Sequence, residues 1–277
     1  MKTKNVFLTT AISGAVIFGA PALAQDGLLE GWSGSASLGA VITNGNSDSR
    51  NITGSASVVK QQDLWRHTAF GSTYKAENND IETADRFDLG YKIDRQFTDT
   101  LYGFGRLRYD TDDFGNIEDR VSGIVGVGRT FIDDGKQGLR GEIGIGGHST
   151  NYISLDPSAN DPTLDATGAQ IFDPVTNLPV FNATPDALDS LDDSGAVLYG
   201  GLNYTNILNE IVTFYSVFSF EIAESNTYTT WDNSLAVKLS DNISLSLGIL
   251  NRNNTDIVGP LGSNNDTATR ISFVYGI

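Results

Sequence analysis

The sequence predicts an all-β protein: a transmembrane antiparallel β-barrel of about 12 strands with both termini in the periplasm. Apolar and polar residues alternate in successive segments, with the side-chain period of a β-strand. The connections between these segments alternate between short and long. The last segment, Thr269 to Ile277, places Ile271, Phe273 and Tyr275 on one face and ends with the chain, as the closing strand of an outer-membrane barrel does.

The amino-terminal residues predict export from the cytoplasm. Lys2 and Lys4 precede an apolar run from Val6 to Ala20, and Ala22-Leu23-Ala24 offers a cleavage site with small residues. This pattern is typical of a secretory signal peptide, here residues 1–24, and is too short for a transmembrane helix. We therefore expect a mature chain of residues 25–277, starting at Gln25, in the outer membrane of a Gram-negative bacterium. The sequence has no cysteine, so it offers no disulfide and no thiol for a lipid anchor.

The composition argues against nucleic acid as a partner. The formal net charge is -16 and becomes -18 once the two signal-peptide lysines are removed. Much of this acidity lies in one segment, Asn151 to Asp193, which holds eight aspartates and no lysine or arginine. A hydrophobic content of 39% is low for a helical membrane protein and ordinary for a barrel with a polar lumen.

Twelve alternating segments are separated by turn signals, an even number as a single-chain bacterial barrel requires. The predicted strands are 31–43, 49–61, 64–76, 83–97, 100–111, 117–132, 137–150, 195–206, 210–223, 227–240, 242–253 and 266–277. Their clearest outward faces are Phe87, Leu89, Tyr91 and Ile93; Val121, Val125 and Val127; Leu139, Ile143 and Ile145; Phe214, Phe218 and Phe220; and Ile243, Leu245, Leu247 and Ile249. The residues between them are mostly small or polar, as expected of a lumen.

The lengths of the connections distinguish a barrel from a soluble β-sandwich. The even-numbered connections are tight turns at Gln62-Asp63, Thr98-Asp99, Asp133 to Lys136, Ile207 to Asn209, and Asp241. The odd-numbered ones include Glu77 to Glu82, Asp112 to Asn116, Asn151 to Asp193, and Asn254 to Asn265. Short turns at one rim and long loops at the other are typical of outer-membrane barrels.

Aromatic residues near the predicted strand ends could form the two girdles of a membrane barrel, although cross-strand packing would equally account for any one of them. These candidates are Trp32, Trp65, Tyr102, Tyr109, Phe131, Tyr152 and Tyr204.

Opposite the apolar faces, charged residues are predicted to line the lumen. The predicted charge cluster is Arg86, Asp88, Lys92, Arg106, Arg108, Asp110, Arg140 and Glu142, with Asp94 beside it. Such charges would pair across neighbouring strands, where limited water strengthens the pairing. Two interpretations remain open: a charge ladder that fills and rigidifies the interior, or an arginine-lined constriction for small anions.

The sequence offers little support for an enzyme. In the segment around His148, Ser149 is adjacent and points to the opposite face, so the pair lacks the His-x-Ser spacing of twelve-stranded outer-membrane phospholipases. Thr150 keeps that spacing but would face the lumen with His148. We therefore predict no catalytic residues, no cofactor and a histidine that belongs to the polar lumen.

The acidic segment 151–193 is predicted to be a long extracellular loop. Asp156, Asp161 and Asp165 are weak calcium candidates, because their spacing does not match an ordered binding loop. The segment carries five of the seven prolines, a composition typical of a surface loop. A role in surface binding is a further hypothesis for it.

Several stretches resemble one bacterial family. The stretch Gly31 to Gly39 followed by Thr43-Asn44-Gly45-Asn46-Ser47 is similar to the opening hairpin of the salt-induced outer membrane proteins, whose conserved domain has no established function. Further similarity lies in Asp85 to Tyr91, in Leu101 to Arg106, and in the turn from Asp133 to Gly135. The resemblance implies an outer-membrane barrel and implies almost nothing about activity.

Taken together, these patterns predict a non-enzymatic outer-membrane barrel that contributes to envelope integrity or stress tolerance. A narrow channel for small solutes or anions and a surface-binding barrel acting through the 151–193 loop are the alternatives. The expected partners are outer-membrane lipid and lipopolysaccharide, and the barrel-assembly machinery through the C-terminal strand.

Overall fold

The protein is a closed antiparallel β-barrel of twelve strands, which confirms the predicted fold class. A computed structural model describes residues 31–43, 49–78, 81–112, 117–152, 191–224, 226–255 and 265–276. The strands are β1 (Trp32–Thr43), β2 (Ser49–Gln62), β3 (Trp65–Asn78), β4 (Ile81–Gln96), β5 (Leu101–Asp112), β6 (Ile117–Asp133), β7 (Gln137–Tyr152), β8 (Leu191–Ile207), β9 (Val212–Ile222), β10 (Thr227–Lys238), β11 (Ile243–Asn254) and β12 (Asn265–Gly276). No helix in the described part of the chain has the length and apolar character needed to cross a membrane.

Each strand pairs with the next in sequence, and β12 closes the barrel against β1. The closing ladder runs from Ser35 opposite Gly276 to Gly39 opposite Ser272. Register shifts interrupt the ladders at four places, all within a few residues of a strand end, such as the shift between Asp110 and Asp112. Because β1 and β12 pair with each other, neither is the edge strand of an open sheet, and a closed sheet is the form that can exist in lipid.

The strands that flank the acidic segment are longer than the sequence predicted. Tyr152 of β7 pairs with Leu191 of β8, so the proposed loop boundaries of 151 and 193 are wrong. Likewise, Asn78 of β3 pairs with Ile81 of β4, and only residues 79–80 separate the two strands. Polar side chains at these ends resemble loop residues in sequence, yet backbone pairing continues because solvated side chains do not interrupt a ladder.

The tight turns follow one chemical pattern. Asp134 Oδ1 accepts hydrogen bonds from the backbone N–H groups of Lys136 at 2.9 Å and Gln137 at 2.5 Å. Asn209 Oδ1 accepts from Ile211 and Val212 in the same way, at 3.0 and 2.9 Å. Such side-chain acceptors replace the ladder partner that the turn residues lose. The two backbone donors hold the pKa of Asp134 below its ordinary value.

The interior has two unlike halves. Tyr102, Phe104, Ile124, Val197 and Tyr199 form the apolar core on β5, β6 and β8, which we call the packed half. The ring of Tyr102 lies against Gly128 of the neighbouring strand, where an added Cβ would come within 2.3 Å of Tyr102 Cζ. On the opposite side, β1, β2, β11 and β12, with β3 and β10 at their flanks, direct mainly serines inward, and we call this the hydroxyl half. Its inward serines include Ser35, Ser37, Ser55, Ser57, Ser72, Ser234, Ser246 and Ser272.

Candidate functional site in the barrel lumen

All eight residues of the predicted charge cluster lie on the lumen side of their strands. Seven are buried, with Lys92 only 1% exposed, and Arg140 is half-buried. The alternation places them there: the outward neighbours Phe87, Leu89 and Leu107 are 42%, 52% and 63% exposed. The lumen is therefore a buried, densely ionised interior, in which every charge needs a partner.

Lys92 lies at the centre of one group of charges. Its Nζ contacts Glu142 Oε1 at 2.6 Å and Asp94 Oδ1 at 2.8 Å. The hydroxyl of Tyr102 donates to the same Glu142 oxygen at 2.7 Å, and Lys92 Nζ lies 4.9 Å from the centre of the Phe104 ring. Because β5 and β6 separate β4 from β7, this ion pair spans part of the lumen rather than one ladder.

Glu221 of β9 is the centre of a second group. Its two carboxylate oxygens accept hydrogen bonds from Arg106 of β5 and from Arg120 of β6. The guanidinium of Arg106 also lies 4.4 Å from the centre of the Tyr199 ring. A carboxylate that bridges two guanidinium groups ties β9 to the neighbouring strands β5 and β6, from which β7 and β8 separate it.

Asp88 of β4 is the centre of a third group. It accepts hydrogen bonds from Arg108 Nε at 2.9 Å and from Ser72 at 3.3 Å. Arg252 of β11 approaches the other carboxylate oxygen of Asp88 to 3.6 Å. Since β4 and β11 lie almost opposite each other around the barrel, this contact crosses the lumen.

The expectation that these charges pair across neighbouring strands is therefore only partly right. Arg86 with Asp112, and Arg108 with Asp88, do join the adjacent strands β4 and β5. Lys92 and Asp94 lie on the same strand, β4, and the other pairs described above skip at least two strands. In the lumen of this twelve-stranded barrel, long side chains reach past the neighbouring strand. The alternation in the sequence gives no information on how far they reach.

Sequence reasoning missed several members of the network, although they obey the same alternation. The missed residues are Arg66, Asp112, Arg120, Glu221, Asp232, Arg252 and Arg270. Glu221, for example, is flanked by the outward residues Phe220 and Ile222, which the same pattern would have flagged. Arg270 of β12 bonds both oxygens of Asp232 on β10, at 2.5 and 2.6 Å.

His148 faces the lumen near the end of β7. Its Nδ1 lies 3.2 Å from Thr150 Oγ1, while its Nε2 lies 3.9 Å from Asp193 Oδ2. Ser149 is exposed on the opposite face, as the sequence predicts. The histidine thus belongs to the polar lining of the lumen mouth, beside Arg120 and Glu221.

One predicted girdle residue is misplaced. Tyr102 points into the lumen and is 4% exposed. It lies two residues before Phe104 and four before Arg106, so all three side chains are on the same face of β5. Trp32, Trp65, Tyr109 and Phe131 are exposed on the outside, between 38% and 58%.

The hydroxyl half contains a cavity in the described lumen that is partly open to solvent. Arg86, Arg252 and Arg270 line it together with one carboxylate, Asp88. Six serines complete much of the remaining wall: Ser37, Ser55, Ser72, Ser234, Ser246 and Ser272.

Some sequence predictions fall outside the described residues. These are the signal peptide, residues 1–24; the start at Gln25; the turn around Asn44-Gly45-Asn46; most of the acidic loop, with Asp156, Asp161 and Asp165; and Ile277. Within the described strands, no cluster of three or more His, Asp or Glu side chains could hold a metal ion.

A closed antiparallel barrel with an apolar exterior and a charged interior defines a class, the outer-membrane β-barrel proteins. Within that class, the chain belongs to the family described as "Protein of unknown function, DUF481", whose sequence pattern matches residues 36–277.

One relative of the chain comes from Escherichia coli. The "Uncharacterized protein YdiY" of Escherichia coli (strain K12) is 23% identical over 163 residues, covering 57% of this chain and 64% of that protein. The match thus spans somewhat less than two thirds of the relative.

Solved structures of similar shape cover most of the chain. The NanC porin has a TM-score of 0.42 at 9% identity, covering 87% of this chain and 97% of that one. The KdgM porin in complex with disordered oligogalacturonate has a TM-score of 0.40 at 7% identity, covering 88% and 98%. The translocator domain of the autotransporter NalP from Neisseria meningitidis has a TM-score of 0.40 at 12% identity, covering 88% and 86%.

Proposed function

We propose that the protein is a non-enzymatic barrel of the outer membrane that contributes to envelope integrity. Ion pairs across its lumen brace the wall and oppose the free diffusion of solutes. The exterior supports the membrane location. Leu38, Val125, Ile143 and Ile145 are between 63% and 74% exposed, and they belong to a continuous belt of outward apolar side chains. A protein in water does not leave such a belt uncovered, whereas lipid chains cover it.

Pairs of cations and aromatic rings at the rim with the tight turns support the same location. Lys60 lies 5.1 Å from the Trp32 ring, Arg95 lies 5.5 Å from the Trp65 ring, and Arg129 lies 5.8 Å from the Phe131 ring. Aromatic rings favour the boundary between headgroups and acyl chains, and cations beside them can reach lipid phosphates. This rim would then face the lipid headgroups of one leaflet, and lipid and lipopolysaccharide would surround the barrel.

The cross-lumen ion pairs carry the proposal for the interior. Arg106 with Glu221, Lys92 with Glu142, and Arg252 with Asp88 join walls that are not neighbours in the sheet. The burial of Arg106 and Arg108, both 3% exposed and engaged with carboxylates, argues against an open path past them. Ions that moved along this path would have to break buried pairs, which is costly in a medium of low dielectric constant.

Conductance in planar bilayers tests this function. We expect the refolded wild-type protein to show small or no conductance. We also expect Arg106→Ala combined with Arg108→Ala to lower thermal stability, because Glu221, Asp88 and Asp110 lose buried partners. A large, anion-selective wild-type conductance, with stability unchanged in the double variant, would identify a channel instead.

A matched control separates loss of pairing from loss of charge. Arg95→Ala combined with Arg129→Ala also removes two positive charges, but from the exposed outer surface of the barrel. This control should leave conductance and thermal stability close to the wild-type values. If the exterior variant were destabilised as strongly as the lumen variant, the bracing argument would lose its support.

A further inference from the structure

The hydroxyl half of the lumen has the composition of a binding site rather than of a packed core. Its cavity has about 40 Å³ of room for the centres of water-sized molecules, which exceeds the roughly 10–15 Å³ that one water needs. Serines leave this space open, because each fills far less volume than the aromatic residues of the packed half. A small polyatomic solute would fit in place of these waters.

Cations face this cavity while most of their carboxylate partners lie behind them. Arg86, Arg252 and Arg270 are lining residues, and Asp88 is the only lining carboxylate among the described residues. Asp112 and Asp232, which bond Arg86 and Arg270, are not part of the lining. Asp88 is itself shared between Arg108 and Arg252. The charged groups that a solute would meet at the wall are therefore three arginines and one carboxylate.

Polar atoms at the cavity remain without partners. Ser234 Oγ is buried, in a residue 4% exposed, and has no hydrogen-bond partner among the described residues. Nε of Arg252 and Nε of Arg270 are also buried and have no hydrogen-bond partner among the described residues. Buried donors are normally satisfied, so three of them at the wall of one cavity point to an acceptor that occupies it.

We propose that this cavity binds a small oxyanion, that is, a phosphate, sulfate or carboxylate group. Arg252 and Arg270 bind the negative charge of the anion, and Ser234 donates a hydrogen bond to one of its oxygens. The neighbouring serine hydroxyls offer further hydrogen bonds to the anion. Arg252 lies two residues from the end of β11, so the cavity reaches close to one rim, from which the anion can enter. The site does not depend on conduction, and an anion held there would further occlude the lumen.

Isothermal titration of the refolded barrel in detergent tests the site, with inorganic phosphate, sulfate and acetate as separate probes in a chloride buffer. We expect saturable binding of at least one probe, and the ranking of the three distinguishes tetrahedral oxyanions from carboxylates. Arg252→Gln should weaken this binding by about tenfold or more, since a hydrogen bond to a charged group is lost. Arg252→Lys should restore part of the affinity. Asp88 keeps Arg108 in both variants, so the barrel should still fold.

A pair of serine variants supplies the sharpest comparison. Ser234→Ala removes an unpartnered hydroxyl at the cavity, and Ser122→Ala removes an equally buried, unpartnered hydroxyl on β6, away from the cavity. We expect weaker binding for Ser234→Ala alone. Absence of binding by the wild type, or equal loss in both serine variants, would overturn the proposal. Neither result would affect the proposed bracing, which the bilayer measurement tests separately.

Discussion

At the scale of single residues, Glu221 shows how tightly a lumen side chain is held. It is 4% exposed and accepts hydrogen bonds from Arg106 and Arg120, which are 3% and 7% exposed. Removing it would leave two buried guanidinium groups without the carboxylate to which both are hydrogen-bonded. Breaking a buried ion pair from one side costs far more than the intact pair contributes, because the remaining charge has lost its solvation.

We therefore expect Glu221→Ala to lower the free energy of unfolding by about 3–5 kcal/mol. Chemical denaturation of the barrel refolded in lipid vesicles measures this change. Glu224→Ala, at an exposed carboxylate just beyond the same strand, is the matched control and should change stability by less than about 0.5 kcal/mol. Equal stability of the two variants would show that the three charges are independent of one another.

The residue scale also shows what sequence alternation can and cannot predict. Alternation placed Arg106, Arg108 and Glu142 on the lumen side, because strand geometry fixes the side to which each residue points. It did not predict that Arg106 would bond Glu221, which is 115 residues away in sequence. Partners across a lumen depend on barrel width and on side-chain reach, and neither is encoded in the local pattern.

At the scale of strands, the apolar and polar faces were predictable to within four residues at each strand end. The differences are concentrated where strands emerge from the apolar belt, as at Tyr152 and Leu191. There the lipid no longer selects for apolar residues, and the alternation fades before the hydrogen-bonded ladder ends. The inward serines of β1, β2, β11 and β12 are visible in the sequence. Predicting a hydroxyl half from them also requires knowing that these four strands are neighbours in the barrel.

Two adjacent residues of β11 offer a direct test of strand facing. Leu247 is outward and 44% exposed, whereas Ser246 lines the lumen cavity. Leu247→Arg should reduce the yield of folded barrel in vesicles and cost roughly 2–4 kcal/mol, because the charge lies within the lipid. Ser246→Arg should be tolerated much better, because its side chain enters a polar space. Equal effects at both positions would mean that the register of β11 is reversed.

Ser122 shows why facing alone does not decide tolerance. It points inward like Ser246, yet it is 2% exposed and lies opposite His148 on the ladder between β6 and β7, outside the cavity of the hydroxyl half. An arginine at this position would have to displace neighbouring side chains, and overpacking of this kind is destabilising even without a charge in lipid. The sequence predicts the direction of a side chain, but only the packing determines the space available to it.

At the scale of the whole molecule, closure of the barrel depends on the ladders between the twelve described strands. The pairs Tyr152 with Leu191 and Asn151 with Asp192 bring the two ends of the acidic segment together. The ladder between β7 and β8 holds the two strand ends together. A short linker can therefore replace the residues between the strands at little cost in conformational entropy. The cross-lumen ion pairs described above also lie entirely within the strands.

We therefore expect that a flexible Gly/Ser linker in place of residues 155–188 will leave an intact barrel in the outer membrane. The variant should fractionate with outer membranes and should migrate faster in detergent gels before heating than after, because a closed barrel resists unfolding by detergent. The same linker placed in β8 in place of residues 195–202 is the control and should abolish the heat-dependent shift, since it removes ladder partners of both β7 and β9. If the 155–188 variant also failed to assemble, the acidic segment would have to contribute to the interior, and the bracing of the lumen could no longer be assigned to the strands alone.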